Sequence, residues 1–327
     1  MRLTIPFLAS AALVLFSGYG YAQQSGERDY PSKPIRLVVP YVAGGPNDVI
    51  AHTLAQHVLA STGQSMIVDN RGGAGSAIGN DAVAKSAPDG YSILLNSSSF
   101  ASLPSLSKSL PYDPIRDFTP ITLMARGVGS VMVVHSTVPA RSVAELIALA
   151  KSQPGRISFA SGGSGSASHL TAELFKSVSG IDITHVPYKG VGQAFSDLLS
   201  GRVELSFFSP PIVFQHVQAG KLRALAATAP GRISDMPDVP TMEEAGIRGA
   251  NYVLWYGLWF PAGAAPVNVA RIRGEVVKMF DIAAIRKKFL DERFLPVSST
   301  QQEFSRLISD EIELHRKLVA RIGLAPQ

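Results

Sequence analysis

The stretch ISFASGGSGSASHLTAELFKSV, Ile157 to Val178, has an earlier counterpart in LVVPYVAGGPNDVIAHTLAQHV, Leu37 to Val58. Each reads as a short strand-like run, a glycine-rich turn and an amphipathic helix; in the earlier copy Ile50, Leu54 and Val58 form one apolar stripe. A strand-to-helix loop of Gly and Ser leaves several backbone N–H groups unpaired. The helix dipole adds about half a positive charge at the same point. Each unit is therefore suited to hold an anion, and two lobes that each carry one can face each other across a cleft.

The same alternation runs outward from both copies. Strand-like runs occur at IRLVV from Ile35, SMIVD from Ser65, YSILL from Tyr91, ITLMA from Ile121 and VMVVH from Val131. They continue at ITHVPY from Ile183, VELSFF from Val203 and LRALAA from Leu222. Helical patterns lie between them, as in AIGNDAVAKSA from Ala77. Ser142 with Glu145, Thr241 with Glu244, and Thr300 with Glu303 have capping-box spacing and mark three helix starts, the last opening a long helix to about Ile322. This alternation predicts an α/β fold with largely parallel sheets. With 327 residues, 46% of them hydrophobic, the chain is long enough for two lobes. The apolar run VLWYGLWF before Pro261 reads as core rather than site.

The net charge is +5, but the cations are interspersed with acids; IRKKF near Arg286 sits beside Asp281, Asp291 and Glu292 and reads as a solvated helix face. That pattern excludes a nucleic-acid surface. Arg2 followed by FLASAALVLF, with Gly20 and Ala22 beyond it, reads as a secretory signal peptide over residues 1–22, cleaved after Ala22. Its apolar run is too short to span a bilayer. An exported chain with no cysteine suits the periplasm and a core that needs no disulfides.

The glycine loops fail the motifs of phosphate and acyl chemistry. No glycine is followed by Lys and then Ser or Thr in the P-loop frame. Gly163 and Gly165 begin a dinucleotide fingerprint that ends in Ser168, and Gly73 and Gly75 begin one that ends in Ile78. Ser164 follows Gly162 by two but has Ser166, not Gly, two residues on, so it is no nucleophile elbow. His169 has no acid at a suggestive spacing for a base, and His52 and His57, five apart, do not share a metal-binding helix face. No metal, cofactor or catalytic residue is expected. NRGGAGSAIGN (Asn70 to Asn80) and LLNSSSFA (Leu94 to Ala101) add two further loops at strand ends, where α/β sheets place ligands. Lys189 in HVPYKG can offset a carboxylate. Phe207 and Phe208 point to opposite faces of a strand, one into the core and one toward the cleft.

At this level of detail the chain resembles the periplasmic substrate-binding proteins of tripartite tricarboxylate transporters, the Bug family. The resemblance rests on YPSKPIRLVVPYVAGG, NRGGAGSAIG, APDGYSILL, LPYDPIRDFTPITLMA, VPARSVAELIALAKSQPGRISFASGGSGSASHL, HVPYKG, GKLRALAAT and DVPTMEEAG, in order over nearly the whole chain after residue 22. It implies a type II periplasmic-binding fold whose two lobes close on a ligand. The crossings fall near Gly127–Ser130 and Thr228–Gly231, which gives lobe one as residues 23–127 with 230–327 and lobe two as residues 128–229. It also implies a small carboxylate ligand, integral-membrane permease subunits as partners, and a monomer. By the same resemblance the ligand contacts fall on Tyr41, Ala43, Gly44, Gly45, Pro46, Asn47, Asp48, Gly75, Ser76 and Ala77, with Asn96 and Ser98 at the next strand end. The facing lobe supplies Ser164, Ser166, Ala167, Ser168, His169, Lys189, Gly190, Phe208 and Ser209.

Two departures from the family pattern matter. The first loop commonly reads Pro-Pro-Gly-Gly-Ser-Thr-Asp; here Pro46 takes a hydroxyl position and removes one N–H donor, while Asp48 is kept. Relatives that bind amino acids carry Asp where this chain has Phe208. Phe208 cannot pair with an ammonium, so an amino acid is disfavoured and an apolar or aromatic acid stacked on Phe208 or Tyr41 is favoured. Two other readings predict different things. An exported hydrolase built on His169 and a loop serine requires a base within reach of Ser166 or Ser168. A sensor that hands its closed form to a receptor kinase would share the same binding site.

Overall fold

The structure is a computed structural model that describes residues 30–323, so the expected signal peptide and its cleavage point lie outside the described residues. The chain begins with strand–helix units: β1 (Ile35–Val39), α1 (Pro46–Thr62), β2 (Met66–Asn70), α2 (Ala77–Ala84), β3 (Ser92–Ser97), α3 (Ser99–Leu106) and β4 (Phe118–Gly127). A second series follows: β5 (Val131–His135), α4 (Val143–Ser152), β6 (Ser158–Ser161), α5 (Ala167–Ser179), β7 (Thr184–Pro187), α6 (Val191–Leu199), β8 (Leu205–Phe208), α7 (Pro210–Gln218) and β9 (Leu222–Ala227). The chain then returns through β10 (Trp255–Pro261), α8 (Pro266–Asp281), α9 (Ala283–Asp291), β11 (Phe294–Pro296) and α10 (Gln301–Ile322).

These strands make two sheets, ordered β11-β4-β10-β3-β1-β2 and β7-β6-β8-β5-β9. In the first, β1 runs parallel to β2 and β3, while β10 runs antiparallel to β3 and β4, and β11 antiparallel to β4. In the second, β6, β7 and β8 are parallel, and β5 is antiparallel to β8 and β9. The sheets are thus mixed rather than largely parallel, because the strands at each return join the sheet without a crossover helix. Helices cover both faces of each sheet, so Leu37, Val38 and Val39 are all fully buried on consecutive positions.

From Trp255 onward the VLWYGLWF run forms β10, while Val253 and the exposed Leu254 precede the strand. The strand is buried along its whole length, consistent with the expected place of these residues in the core. The Ser142 and Thr300 helix starts form as expected, with each hydroxyl accepting the amide three residues on. Thr241 and Glu244 also exchange both capping bonds, at 2.8 and 3.1 Å. No helix follows them: positive φ at Gly246 and Gly249 ends the turn at once.

The lobe boundary is corrected by packing. Ile233, Met236 and Val239 are buried with Val131, Phe208 and Val213, and Met242 and Ala250 with Met132, Phe159 and Phe207. Residues 230–250 therefore belong with the second sheet, not with the first. The return crossing lies at Asn251–Leu254, where the Gly127 amide donates to the Leu254 carbonyl at 2.7 Å. The far end of α10 also departs from a simple division, since Leu314 and Leu318 pack on Leu170 and Leu174 of α5.

The crossings set how the sheets face each other. Arg126 near the end of β4 pairs with Trp255, and its neighbour Tyr256 pairs with Ser97 at the C-terminal end of β3. Val131, where β5 begins, pairs with Phe208 at the C-terminal end of β8. The link of residues 128–130 therefore joins the C-terminal edge of one sheet to the C-terminal edge of the other. Gly129 is needed in it: its φ is +78°, and a Cβ there would lie 2.8 Å from the Ala229 nitrogen.

Candidate anion site between two sheet edges

Six helices begin at these facing edges, each fed by a parallel strand: α1, α2 and α3 after β1, β2 and β3, then α5, α6 and α7 after β6, β7 and β8. Their N-termini give the edges a positive field without an array of charged side chains. The edges lie close together, since a Cβ on Gly165 would sit 3.7 Å from Leu106 Cδ2 at the end of α3.

The first loop is braced by Asp48. One of its carboxylate oxygens accepts the Gly44 amide at 3.0 Å and the other accepts the Asn70 side-chain amide at 3.0 Å. The Gly44 amide, with Asn70 and His52 behind it, holds this carboxyl below its usual range against a smaller opposing effect of burial. Both oxygens are committed, so Asp48 shapes the loop. Pro46 stands at the first helical position, where a missing N–H costs the helix nothing. Among the described residues the Gly45 and Asn47 amides have no internal acceptor. Ala43 and Gly44 are exposed, and Val42 beside them is 78% exposed.

The second loop turns on four successive positive φ values, at Gly73, Ala74, Gly75 and Ser76. It buries Ser76 and points its hydroxyl at Asn80, with Ala77 following at the helix start. Below both loops runs a line of polar side chains. Asn80 donates to the Tyr112 hydroxyl at 2.8 Å, Asn96 donates to Asn80 Oδ1 at 2.8 Å, and Tyr41 donates to Asn96 Oδ1 at 2.9 Å. Ser97 and Ser99 also meet the Tyr41 hydroxyl. Asn96 is completely buried, as a support for the loop rather than an exposed contact. Ser98 is buried too, with its amide on the Trp255 carbonyl at 2.8 Å. Asn80, Ser97, Ser99 and Tyr112 are the support residues that sequence reasoning missed. Tyr112 gives no local signal because its partner lies 32 residues away.

In the facing lobe the loop from Ser161 to His169 folds over its own side chains. The Gly162 amide donates to Ser168 Oγ at 3.0 Å, the Gly163 amide to Ser161 Oγ at 3.1 Å, and the Gly165 amide to His169 Nδ1 at 3.0 Å. Ser166 caps α5. Among the described residues the Ser164, Ala167 and Ser168 amides are left without an internal acceptor. Lys189 is exposed and has no ion-pair partner among the described residues, and Gly190 caps α6 at φ +146°. Ser209 is exposed at the end of β8.

Two expectations change here. Phe208 is 2% exposed and packs edge-on against Phe195 at 5.5 Å, while Phe207 is buried on the opposite face of the strand. Both faces of β8 are covered, so neither ring offers a wall to a ligand. His169 does have an acid nearby, Glu173 at 3.9 Å one turn on. Its Nδ1 is nevertheless taken by the Gly165 amide, and the Ser166 and Ser168 hydroxyls bond each other at 3.2 Å instead of the ring. This is not a serine–histidine pair.

The sequence matches the tripartite tricarboxylate transporter family receptor over residues 50–324. The chain belongs to that family. This receptor is 37% identical to the protein BugT of Bordetella pertussis over 93% of this chain and 94% of that one. It is similar to a TctC solute-binding protein from Polaromonas without ligand (TM-score 0.79, 28% identity, covering 89% of this chain and 99% of that one). It is also similar to an adipate-bound protein of R. palustris (TM-score 0.70, 32% identity, covering 91% and 100%). The receptor shares the two-lobed architecture of these periplasmic binding proteins, and it is a binding protein rather than an enzyme. No helix among the described residues is long and apolar enough to cross a membrane.

Proposed function

We propose that this receptor captures a small carboxylate with an apolar body by lobe closure and delivers it to integral-membrane permease subunits of the tripartite type. The carrying observation is the set of uncommitted amides on the two facing edges: Gly45 and Asn47 on one side, Ser164, Ala167 and Ser168 on the other. Each lobe alone offers only part of a carboxylate's hydrogen bonds. Closure offers both parts at once, so the bound acid selects the closed state. The moving bodies are residues 30–127 with 255–313 and residues 131–250, hinged at the two crossings. The first 22 residues direct export to the periplasm.

The apolar body follows from what surrounds the amides. Val42, Ile78 and Val191 are 78%, 54% and 42% exposed on the loops and helix starts at these edges. Asp48 is committed to its own loop, and Phe208 is buried, so no carboxylate at these positions is free to receive an ammonium. Adipate, the acid named with the R. palustris relative, has a bare alkyl chain and is a fitting first probe. A thermal-shift panel tests the reading. An amine-free acid at about 100 times its Kd should stabilise the protein by about 2.7 kcal/mol. Stabilisation by glutamate or aspartate, with none by adipate, benzoate or any other amine-free acid, would overturn it. Native mass spectrometry of the purified protein gives an independent check through any co-purified acid.

A further inference from the structure

Of the loop amides in the second lobe, the one on Gly165 has the least ordinary acceptor, a buried imidazole. His169 is 4% exposed, and its Nδ1 receives that amide at 3.0 Å. An imidazole nitrogen accepts only when it carries no proton, so this bond fixes the neutral ring with its proton on Nε2. The ring is held from one side by His185, stacked at 3.9 Å between centroids and 12° between planes. His185 is held in turn by Phe159, at 4.8 Å, and by Ser161 Oγ, 2.6 Å from its Nε2. That same Ser161 hydroxyl accepts the Gly163 amide. Gly165 also lies near Leu106 of the other lobe, whose Cδ2 is 3.7 Å from where a Cβ on Gly165 would stand. One ring thus sets the shape of the loop that both presents the free amides and lies near the facing lobe at Gly165.

We propose that His169 is a positioning residue whose neutral Nδ1 latches the Gly165 amide, and that protonation of this nitrogen unlatches the loop and releases the bound anion in acid. The inference rests on the anion-site reading above.

The surroundings oppose the charged ring. Burial, with His185 beside it, lowers the His169 pKa to about 4, and burial with Lys176 lowers that of His185. Of the charged groups nearby, Glu173 on α5 faces His169 and Lys176 on α5 acts on His185, while Asp182 after that helix and Arg321 on α10 act in turn on Glu173. Glu173 would favour the imidazolium, but burial raises its own pKa, so it loses charge as the pH falls. A proton arriving at Nδ1 finds the Gly165 N–H already there. One of the two must move, and the half-buried glycine turn is freer than the stacked, buried ring.

The test uses the ligand-free protein, so failure to find a bound acid would sink the anion-site reading without deciding this one. Ring 15N NMR at neutral pH should show His169 as the Nε2–H tautomer. Amide exchange should show Gly165 protected at neutral pH, with protection lost as the ring protonates. His169→Asn keeps an acceptor near the Nδ1 position and removes the titration, so Gly165 protection should persist into acid. His169→Phe keeps the stacked ring without an acceptor and should lower Gly165 protection at neutral pH by about tenfold, the equivalent of one ordinary hydrogen bond. An Nδ1–H tautomer or an imidazolium at neutral pH overturns the proposal. So does wild-type protection of Gly165 in His169→Phe, or loss of protection in acid that is the same in His169→Asn. Should His169→Phe fail to fold, the tautomer and the His169→Asn pH profile decide the matter.

Discussion

The Thr228 hydroxyl donates to the Tyr252 carbonyl at 3.0 Å and accepts the Ser130 amide at 2.8 Å, so one fully buried side chain ties the two interlobe crossings together. Its backbone amide returns to the Ser130 carbonyl at 2.8 Å. Thr228→Val is nearly isosteric but leaves a donor and an acceptor without this partner. The expected loss is about 2 kcal/mol in urea unfolding. Small-angle scattering of the ligand-free variant should also show a broader range of lobe separations. Unchanged stability and scattering would mean that the crossings are held by their neighbours alone.

A second prediction concerns the polar line below the first lobe's loops. Asn96 donates to Asn80 and accepts from Tyr41 and from the Ser97 amide at 2.7 Å. Asn96→Ala leaves the Asn80 side-chain carbonyl and the Ser97 amide without this partner in a buried site, for an expected cost of about 3 kcal/mol. Tyr41 would also lose one of its three hydroxyl partners, so stabilisation by an adipate probe should fall more than it does in a surface control. A cost below about 1 kcal/mol would show that water replaces the amide without penalty.

Much of this architecture is written locally. Strand, loop and helix alternate with the expected periods, and Ser142 and Thr300 cap the helices their spacing announces. The glycine loops lie at strand C-termini, where anion sites belong. What stayed hidden depends on partners distant in sequence. Phe208 seemed free to face a ligand because alternation along a strand says nothing about whether both faces are covered. The Thr241 box forms its bonds without a helix, since the glycines after it decide the outcome. The lobe boundary moved because Ile233 to Ala250 has little regular structure to reveal which core it joins. The commitment of Asp48 to Gly44 and Asn70 was likewise invisible, because a loop aspartate has the same sequence signature as ligand or as brace.

The charge cluster around buried Glu275, between α1 and α8, yields a third prediction. The Glu275 side chain is 1% exposed and accepts from Ser61 at 2.6 Å and Lys278 at 3.1 Å, with Arg271 at 3.4 Å and His57 at 3.4 Å. Burial alone would raise its pKa, but Ser61, Lys278 and Arg271 together hold it below the usual range. Removing one member of such a group costs about 3 kcal/mol. Glu275→Ala should lose that much at neutral pH. A lowered carboxylate pKa contributes stability above its unfolded value and loses it as the pH falls, so the difference between variant and wild type should shrink in acid. A variant equally impaired at every pH would argue for packing rather than charge.

The last prediction runs the other way in pH. Glu311 on α10 has a side chain 21% exposed and lies 3.9 Å from buried His315. Burial raises its pKa to about 7, opposed by the Trp255 indole and by Arg126. A carboxyl raised in the folded state contributes stability that is complete below its unfolded pKa and is lost as the pH climbs through the folded one. The wild type should therefore weaken from about pH 4.5 to beyond pH 7, by about 2–3 kcal/mol. Glu311→Gln keeps the shape without the charge. It should match the wild type near pH 5 and exceed it at pH 8. His315, lowered to about 4 by burial, destabilises the fold as the pH drops below about 6.5, but it does so in both proteins and leaves their difference intact. Parallel melting curves across this range, with no widening gap toward pH 8, would show that Glu311 is ionised at little cost beside the hinge.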